Sequence, residues 1–213
     1  MTALQALRVG VRVTAQGDQV LINGASGGVG TFAVQMAKAM GARVTGVCSS
    51  RNVSLVRDQL GADEVIDYTT EDVTGTYDRI LDLVGNRTPS NWRRLLKADG
   101  ALVAVSLPNP ESEWVPCQLF RVLCFPCCCC CLCSQKFIPF MQEVRKTDLE
   151  ELASMLEAGT LRPAIVQHLS GLSAVPDALS GHSDTVGLGH TVGKTVISIC
   201  DEMMAPSSVN NME

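Results

Sequence analysis

The residues with the most chemical content are Asn23-Gly24-Ala25-Ser26-Gly27-Gly28-Val29-Gly30. They follow a short apolar run, Val20-Leu21-Ile22, and precede a stretch of helical periodicity. That context gives a glycine-rich turn its meaning. Glycine permits the tight bend, and the missing Cβ lets backbone approach an anion. The helix N-terminus then offers unpaired N–H groups and the positive end of a dipole. The combination suits the pyrophosphate of a dinucleotide, with Ala25, Ser26, Gly27, Gly28, Val29 and Gly30 as the residues that would hold it. Ala25 stands where the first glycine of G-x-G-x-x-G usually stands, so the simple pattern is not met in full. The competing reading is a glycine turn without a ligand. It loses weight because further strands follow at the spacing a dinucleotide domain needs.

The kind of dinucleotide is read from the end of the second strand. An NAD site usually places an acidic residue there to hold the ribose diol. Residues 41–57 contain no acidic residue, and the strand ends Cys48-Ser49-Ser50-Arg51. Two hydroxyls and a guanidinium suit a 2′-phosphate, at roughly 1.5–3 kcal/mol for a charge-assisted bond. NADP(H) is therefore the expected cofactor, with Ser49, Ser50 and Arg51 at its 2′-phosphate. The alternative is that Arg51 is a solvated residue in the first turn of a helix.

Other reactive side chains are less informative. Of 10 cysteines, seven lie close together: Cys124, Cys127, Cys128, Cys129, Cys130, Cys131 and Cys133. Adjacent cysteines do not readily reach disulfide geometry, and spaced ligand pairs with an intervening loop are missing, so zinc is not expected. Read as a tolerated low-complexity insertion, the run needs no function. Palmitoyl anchoring through Cys127 to Cys131 is the second reading, and a soft-metal or redox cluster the third. His168, His182 and His190 fall outside the glycine-loop domain, and none is assigned a catalytic role.

The elements that must position the loop follow from periodicity. Strands are expected at 20–22, 43–47, 64–66, 79–84, 101–105 and 136–141. Helices are expected at 28–40, from Asn52 to Leu60, around Trp92, and from the capping box Thr147-Asp148-Leu149-Glu150 to Gly159. Strands alternating with helices imply βαβ units, hence an α/β doubly wound parallel sheet of Rossmann type. Residues 106–134 read as an irregular excursion and residues 201–213 as a disordered tail.

Composition sets the outer limits. The 213 residues are 46% hydrophobic and 18% charged, enough for a packed core and too apolar for a disordered chain. A net charge of −5 and only 4% aromatics argue against a nucleic-acid partner. No apolar run reaches the roughly 18 residues of a transmembrane span. The N-terminus does not read as a signal peptide, so an intracellular, by default cytoplasmic, location is expected. An organelle would follow if a targeting segment preceded Met1.

The sequence resembles the medium-chain dehydrogenase/reductase superfamily, and within it the zinc-independent quinone oxidoreductase-like branch. The resemblance rests on Thr2-Ala3-Leu4-Gln5-Ala6-Leu7, on residues 20–30, and on Leu60-Gly61-Ala62-Asp63-Glu64-Val65-Ile66-Asp67-Tyr68. It continues through Tyr77-Asp78-Arg79-Ile80-Leu81-Asp82-Leu83-Val84-Gly85, Leu156-Glu157-Ala158-Gly159 and Gly193-Lys194-Thr195-Val196-Ile197. It implies an NADPH-dependent oxidoreductase that transfers hydride to a quinone, enone or similar activated carbonyl compound. Tyr68 would lie beside the adenosine end, and Val84, Gly85, Val105 and Ser106 would line the nicotinamide pocket. Such a reaction needs orientation and exclusion of water more than acid–base residues, so no catalytic residue is named.

Members of this family carry a GroES-like substrate domain before the Rossmann domain, and this chain starts at the helix joining them. The expected organisation is therefore a dinucleotide-binding domain over 1–161 and a C-terminal remnant of the substrate domain over 162–200. Ile165, Val196, Ile197 and Ile199 would lack their partner sheet, which favours a homo-oligomer. The alternative function is a non-catalytic NADP(H)-binding Rossmann fragment.

Overall fold

The computed structural model describes residues 1–11, 17–105, 134–176 and 192–198. Two compact units divide the chain, Met1–Pro163 and Ala164–Glu213.

The first unit is built on a parallel sheet. Its strands are β1 (Gln19–Asn23), β2 (Arg43–Cys48), β3 (Glu64–Asp67), β4 (Tyr77–Asp82), β5 (Leu96–Ala104) and β6 (Lys136–Pro139). Their order across the sheet is β3-β2-β1-β4-β5-β6, with every pair parallel. This is the doubly wound Rossmann order, as the alternation of elements implies. The middle strands are apolar on both faces because helices cover both. Val20, Leu21 and Ile22 of β1 are wholly buried.

One face gathers Leu21, Val47, Ile80 and Leu102 around Trp92 of α3 (Pro89–Leu95). The other face holds Gly46, where a Cβ would stand 2.6 Å from Val56 Cγ1 in the Leu55–Gln59 turn. Helix α1 (Thr2–Gln5) runs on into a wider turn, Ala6–Val11, and buries Leu4 and Leu7 completely. Helix α2 (Gly30–Ala39) buries Ala33, Val34, Met36 and Ala37, matching its apolar periodicity.

Helix α4 (Lys146–Glu157) starts one residue before the expected capping box. Its N-cap position is Arg145, with no side-chain cap, so Thr147 does not play the expected role. Asp148 is drawn away instead: its carboxyl accepts from Gln5 Nε2 at 2.5 Å, tying α4 to α1. The helix-stop glycines Gly41, Gly61 and Gly159 do adopt positive φ, at 84°, 80° and 69°.

Several strand limits differ from periodicity: β6 stops at Pro139, short of Met141, and two further differences bear on the site. β4 ends at Asp82, so Leu83 and Val84 lie in a turn. β5 begins at Leu96, with a register shift between Tyr77 and Arg79 of its neighbour. In both places side-chain and register effects decide, which hydrophobicity alone does not report.

The second unit contains β7 (Ile165–Ser170) and β8 (Lys194–Ser198), paired in parallel. Gly193, at φ 53°, lets the chain enter β8 beside Ala164; a Cβ there would meet the Ala164 carbonyl oxygen at 2.3 Å. Ile165 and Val166 are 45% and 40% exposed. Residues 106–133, with eight of the cysteines, and the tail from residue 199, with Ile199, lie outside the described residues.

Candidate dinucleotide site

The glycine loop connects the carboxyl end of β1 to α2, next to the β1–β4 boundary where the strand order reverses. In open α/β sheets ligands bind at this crevice, because loops diverge there and leave room. Gly24 makes the sharp turn, with φ 85°. Its missing side chain also admits Val84, whose Cγ2 would sit 2.7 Å from a Cβ. The bend is closed by Gly27 N–H donating to the Gly24 carbonyl at 3.1 Å. Gly30 is the tightest point: a Cβ would lie 2.1 Å from the Gly24 oxygen and 2.8 Å from Ala25 Cα. The start of α2 therefore rests directly on the turn. No side chain caps its N-terminus, although the Thr31 amide of the first turn already donates to the Gly27 carbonyl at 2.9 Å, so the positive end of the helix faces the turn. These features fit a dinucleotide's pyrophosphate.

Ala25 contributes differently from its neighbours. Its amide donates to the Val47 carbonyl at 3.0 Å and its side chain is wholly buried against Gly46. A methyl fits where a glycine is common because the tight turn falls one residue earlier, on Gly24. Ser26 is joined to the next loop: Asn52 Nδ2 donates to Ser26 Oγ at 3.1 Å and to Ser49 Oγ at 3.2 Å. Asn52, expected as a helix cap, is 7% exposed and ties the β1 and β2 loops together.

Beyond β2, Ser49 is extended and Ser50–Asn52 form a single tight helical turn. Arg51 is exposed on it. Ser50 Oγ donates to Asp67 Oδ2 at the end of β3 and lies 2.7 Å from Thr69 Oγ1. Ser50 and Thr69 hold the Asp67 carboxyl below its ordinary range by hydrogen bonding. Tyr68, next in the chain, donates its amide to the Cys48 carbonyl and leaves its ring 48% exposed.

The other wall is organised by Asp82, a buried residue at the end of β4. Asp82 Oδ1 accepts from Asn23 Nδ2 at 2.8 Å, Val84 N at 3.1 Å and Gly85 N at 3.0 Å. Oδ2 accepts from Trp92 Nε1 at 2.9 Å. Its backbone oxygen accepts from Val105 N at 2.9 Å. One residue thus fixes the ends of β1 and β5, the turn after β4, and α3. Those bonds pull Val84 out of the strand, so that it is 45% exposed at the crevice rather than in the core. Gly85, at φ 73°, completes the turn. Arg87 stacks over the Trp92 ring, 5.5 Å from its centroid.

The structure therefore brings residues 25–30, 49–51, 68, 84, 85 and 105 to the carboxyl edge of one sheet. Ser106 lies outside the described residues. Sequence reading passed over Asp82 and Asp67 as site residues. The signal for Asp82 was an acid within the apolar run Ile80-Leu81-Asp82-Leu83. Asp67 carries no such signal, because the acid of an NAD site usually stands at the end of the second strand and Asp67 arrives from the third.

Cys48 borders this region at the end of β2. Burial pushes its thiol up to about 11, the nearby Asp67 charge adds to this, and Arg57 opposes it. The thiol should stay protonated and unreactive at pH 8. In native-state alkylation followed by peptide mapping, the Cys48 peptide should remain unmodified until denaturant is added. Rapid native labelling would contradict this burial. Since the folded thiol titrates higher than an ordinary one, its stabilising contribution holds below about pH 8.5 and is lost as pH rises toward 11.

The profile of the zinc-binding dehydrogenase family matches residues 60–197. The chain belongs to that family. It is a quinone oxidoreductase-like member of the medium-chain dehydrogenase/reductase superfamily, in line with the resemblance of its motifs. It is 36% identical over 198 residues to the mitochondrial NAD(P)H oxidoreductase RTN4IP1 of Danio rerio, covering 86% of this chain and 50% of that protein. It is 27% identical to the chloroplast envelope quinone oxidoreductase homolog of Arabidopsis thaliana, over 92% of this chain and 58% of that one. The quinone oxidoreductase from Coxiella burnetii superposes with a TM-score of 0.73 at 28% identity, over 93% of this chain and 57% of that one. The chain spans about half the length of the curated relatives it matches.

The family's name implies zinc, and the described residues of this medium-chain dehydrogenase/reductase do not form a zinc site. Among them no group of three or more His, Cys, Asp or Glu side chains is placed to hold a metal. Their cysteine and histidine, Cys48 and His168, lie in different units. Nor is any described helix long and apolar enough to cross a membrane.

Proposed function

We propose that this polypeptide carries the cofactor half of an NADPH-dependent oxidoreductase acting on a quinone, enone or similar activated carbonyl compound. The observation that carries the reading is the cradle at Gly24 and Gly30, where side chains are sterically excluded at the open end of a parallel sheet. The names of the quinone oxidoreductase relatives support the substrate class. When bound, a nicotinamide cofactor supplies the hydride. The residues here bind and orient: residues 25–30 at the pyrophosphate, Ser49, Ser50, Arg51 and Tyr68 at the adenosine end, and Val84, Gly85, Val105 and Ser106 around the nicotinamide.

On this reading residues 1–161 form the dinucleotide domain and residues 162–200 belong with a substrate domain of GroES type, whose strands Ile165–Ser170 and Lys194–Ser198 would join. Assembly with a further domain or a second copy would complete the substrate cleft. The protein would act inside the cell, in the cytoplasm or in an organelle like those named for its relatives.

Thermal denaturation with NADPH and with NADH, followed by turnover with a benzoquinone on the same sample, tests the proposal. Arg51→Ala should weaken NADPH binding about tenfold or more, while NADH changes by less than about threefold. Equal losses for both would remove Arg51 from the 2′-phosphate. Binding without turnover would assign the polypeptide to the alternative, a dinucleotide-binding module. Absence of any binding would end both readings.

A further inference from the structure

The hydroxyls at the ends of β2 and β3, next to the turn that carries Arg51, are already claimed. Ser50 Oγ donates to Asp67 Oδ2, and Thr69 Oγ1 donates to Asp67 Oδ1 at 2.6 Å. The Thr69 amide adds a third bond to Oδ1 at 3.0 Å. A hydroxyl has a single proton to donate and two lone pairs to accept with. Ser50 Oγ also lies 2.7 Å from Thr69 Oγ1, so the two hydroxyl protons are shared among three contacts within the Ser50–Thr69–Asp67 cluster, and the pair presents acceptors to an incoming ligand. A phosphate at neutral pH needs donors. A ribose 2′-hydroxyl is itself a donor, and can give its proton to Ser50 Oγ or to the Asp67 carboxylate. Strand register pairs Asp67 with Cys48, two residues before Ser50. A negative charge there also opposes a doubly charged phosphate at short range.

We propose that Asp67 is a specificity-determining residue that limits the preference of this site for NADPH and allows NADH to bind. Arg51 and Asp67 act in opposition: the guanidinium favours the 2′-phosphate, while the carboxylate removes its hydroxyl donors and favours the free diol. The acid that dinucleotide sites usually carry on the second strand is supplied here by the third. This inference rests on the dinucleotide reading above and adds to it a reason for dual use of cofactors.

The test is binding of NADPH and NADH, each titrated against the wild-type chain, Asp67→Asn and Asp67→Ala. Adenosine 2′,5′-bisphosphate and AMP serve as probes of the adenosine end alone. Asparagine preserves the turn, since its side-chain oxygen can still accept the Thr69 amide. Both variants should raise the NADPH-to-NADH affinity ratio about tenfold, mainly by tightening NADPH. The bisphosphate should gain over AMP by a similar factor. A ratio that changes less than threefold, falls, or rises only for asparagine would overturn the assignment. The last outcome would credit a new amide donor rather than the removed charge. If the wild-type chain binds none of the four probes, the dinucleotide reading itself fails, which is a different result.

Discussion

Gly30→Ala should unfold the glycine loop locally and abolish protection by NADPH. The added methyl would stand 2.1 Å from the Gly24 carbonyl oxygen and 2.8 Å from Ala25 Cα and C. These are backbone atoms, so no rotamer change relieves the contact. Either α2 moves away from β1 or the turn opens. Overpacking of this kind costs about 1–3 kcal/mol. At this chain size that lowers the melting temperature by roughly 2–12 °C. The functional loss should exceed the structural one, because the displaced groups are those that would receive the pyrophosphate. Thermal melts with and without NADPH separate the two effects. A variant that retains the wild-type ligand-induced shift would show that the cradle is not the binding site.

Asp82→Ala should be the most destabilising substitution at the site. It leaves Asn23 Nδ2, the Val84 and Gly85 amides and Trp92 Nε1 without their common acceptor. Asn23 keeps one partner, Asn86 Oδ1 at 2.9 Å. Unsatisfied buried donors cost about 1–3 kcal/mol each, and some of these can reach water once the loop relaxes, so a total of about 3–5 kcal/mol is expected. That is a large share of the roughly 5–15 kcal/mol by which a domain is stable. Asp82→Asn keeps an acceptor for part of the network and should cost about 1–2 kcal/mol. Denaturant titration followed by tryptophan fluorescence reads both. A loss below 1 kcal/mol for the alanine variant would mean that the network does not hold the loop.

These two residues differ in how visible they were in sequence. Gly30 belongs to a recognisable spacing, and the physical reason for the spacing is local: a strand, a turn and a helix packed within a few residues. Asp82 has a small local role, accepting from the Val84 and Gly85 amides of the turn that follows it, and a larger non-local one. Its partners come from β1, the turn after it and α3, and only their convergence makes a buried acid tolerable. Asn52 is similar. Local reasoning makes it a helix cap, yet its amide reaches Ser26 and Ser49 across two loops. Thr147 shows the converse, a capping box that reads well in sequence while the helix starts before it.

Periodicity and glycine placement by themselves determined the class of fold, the glycine loop and the helix stops at Gly41, Gly61 and Gly159. Those features arise from backbone sterics and from the need to bury regularly spaced apolar side chains, and both are written within short windows. Tertiary structure decided what stands around the loop. It brought Asp67 from β3 to Ser50, ended β4 at Asp82, turned Val84 outward and left Asn52 bridging two loops. Each depends on which strands become neighbours, and side chains far apart in sequence meet only once the β3-β2-β1-β4-β5-β6 order is set.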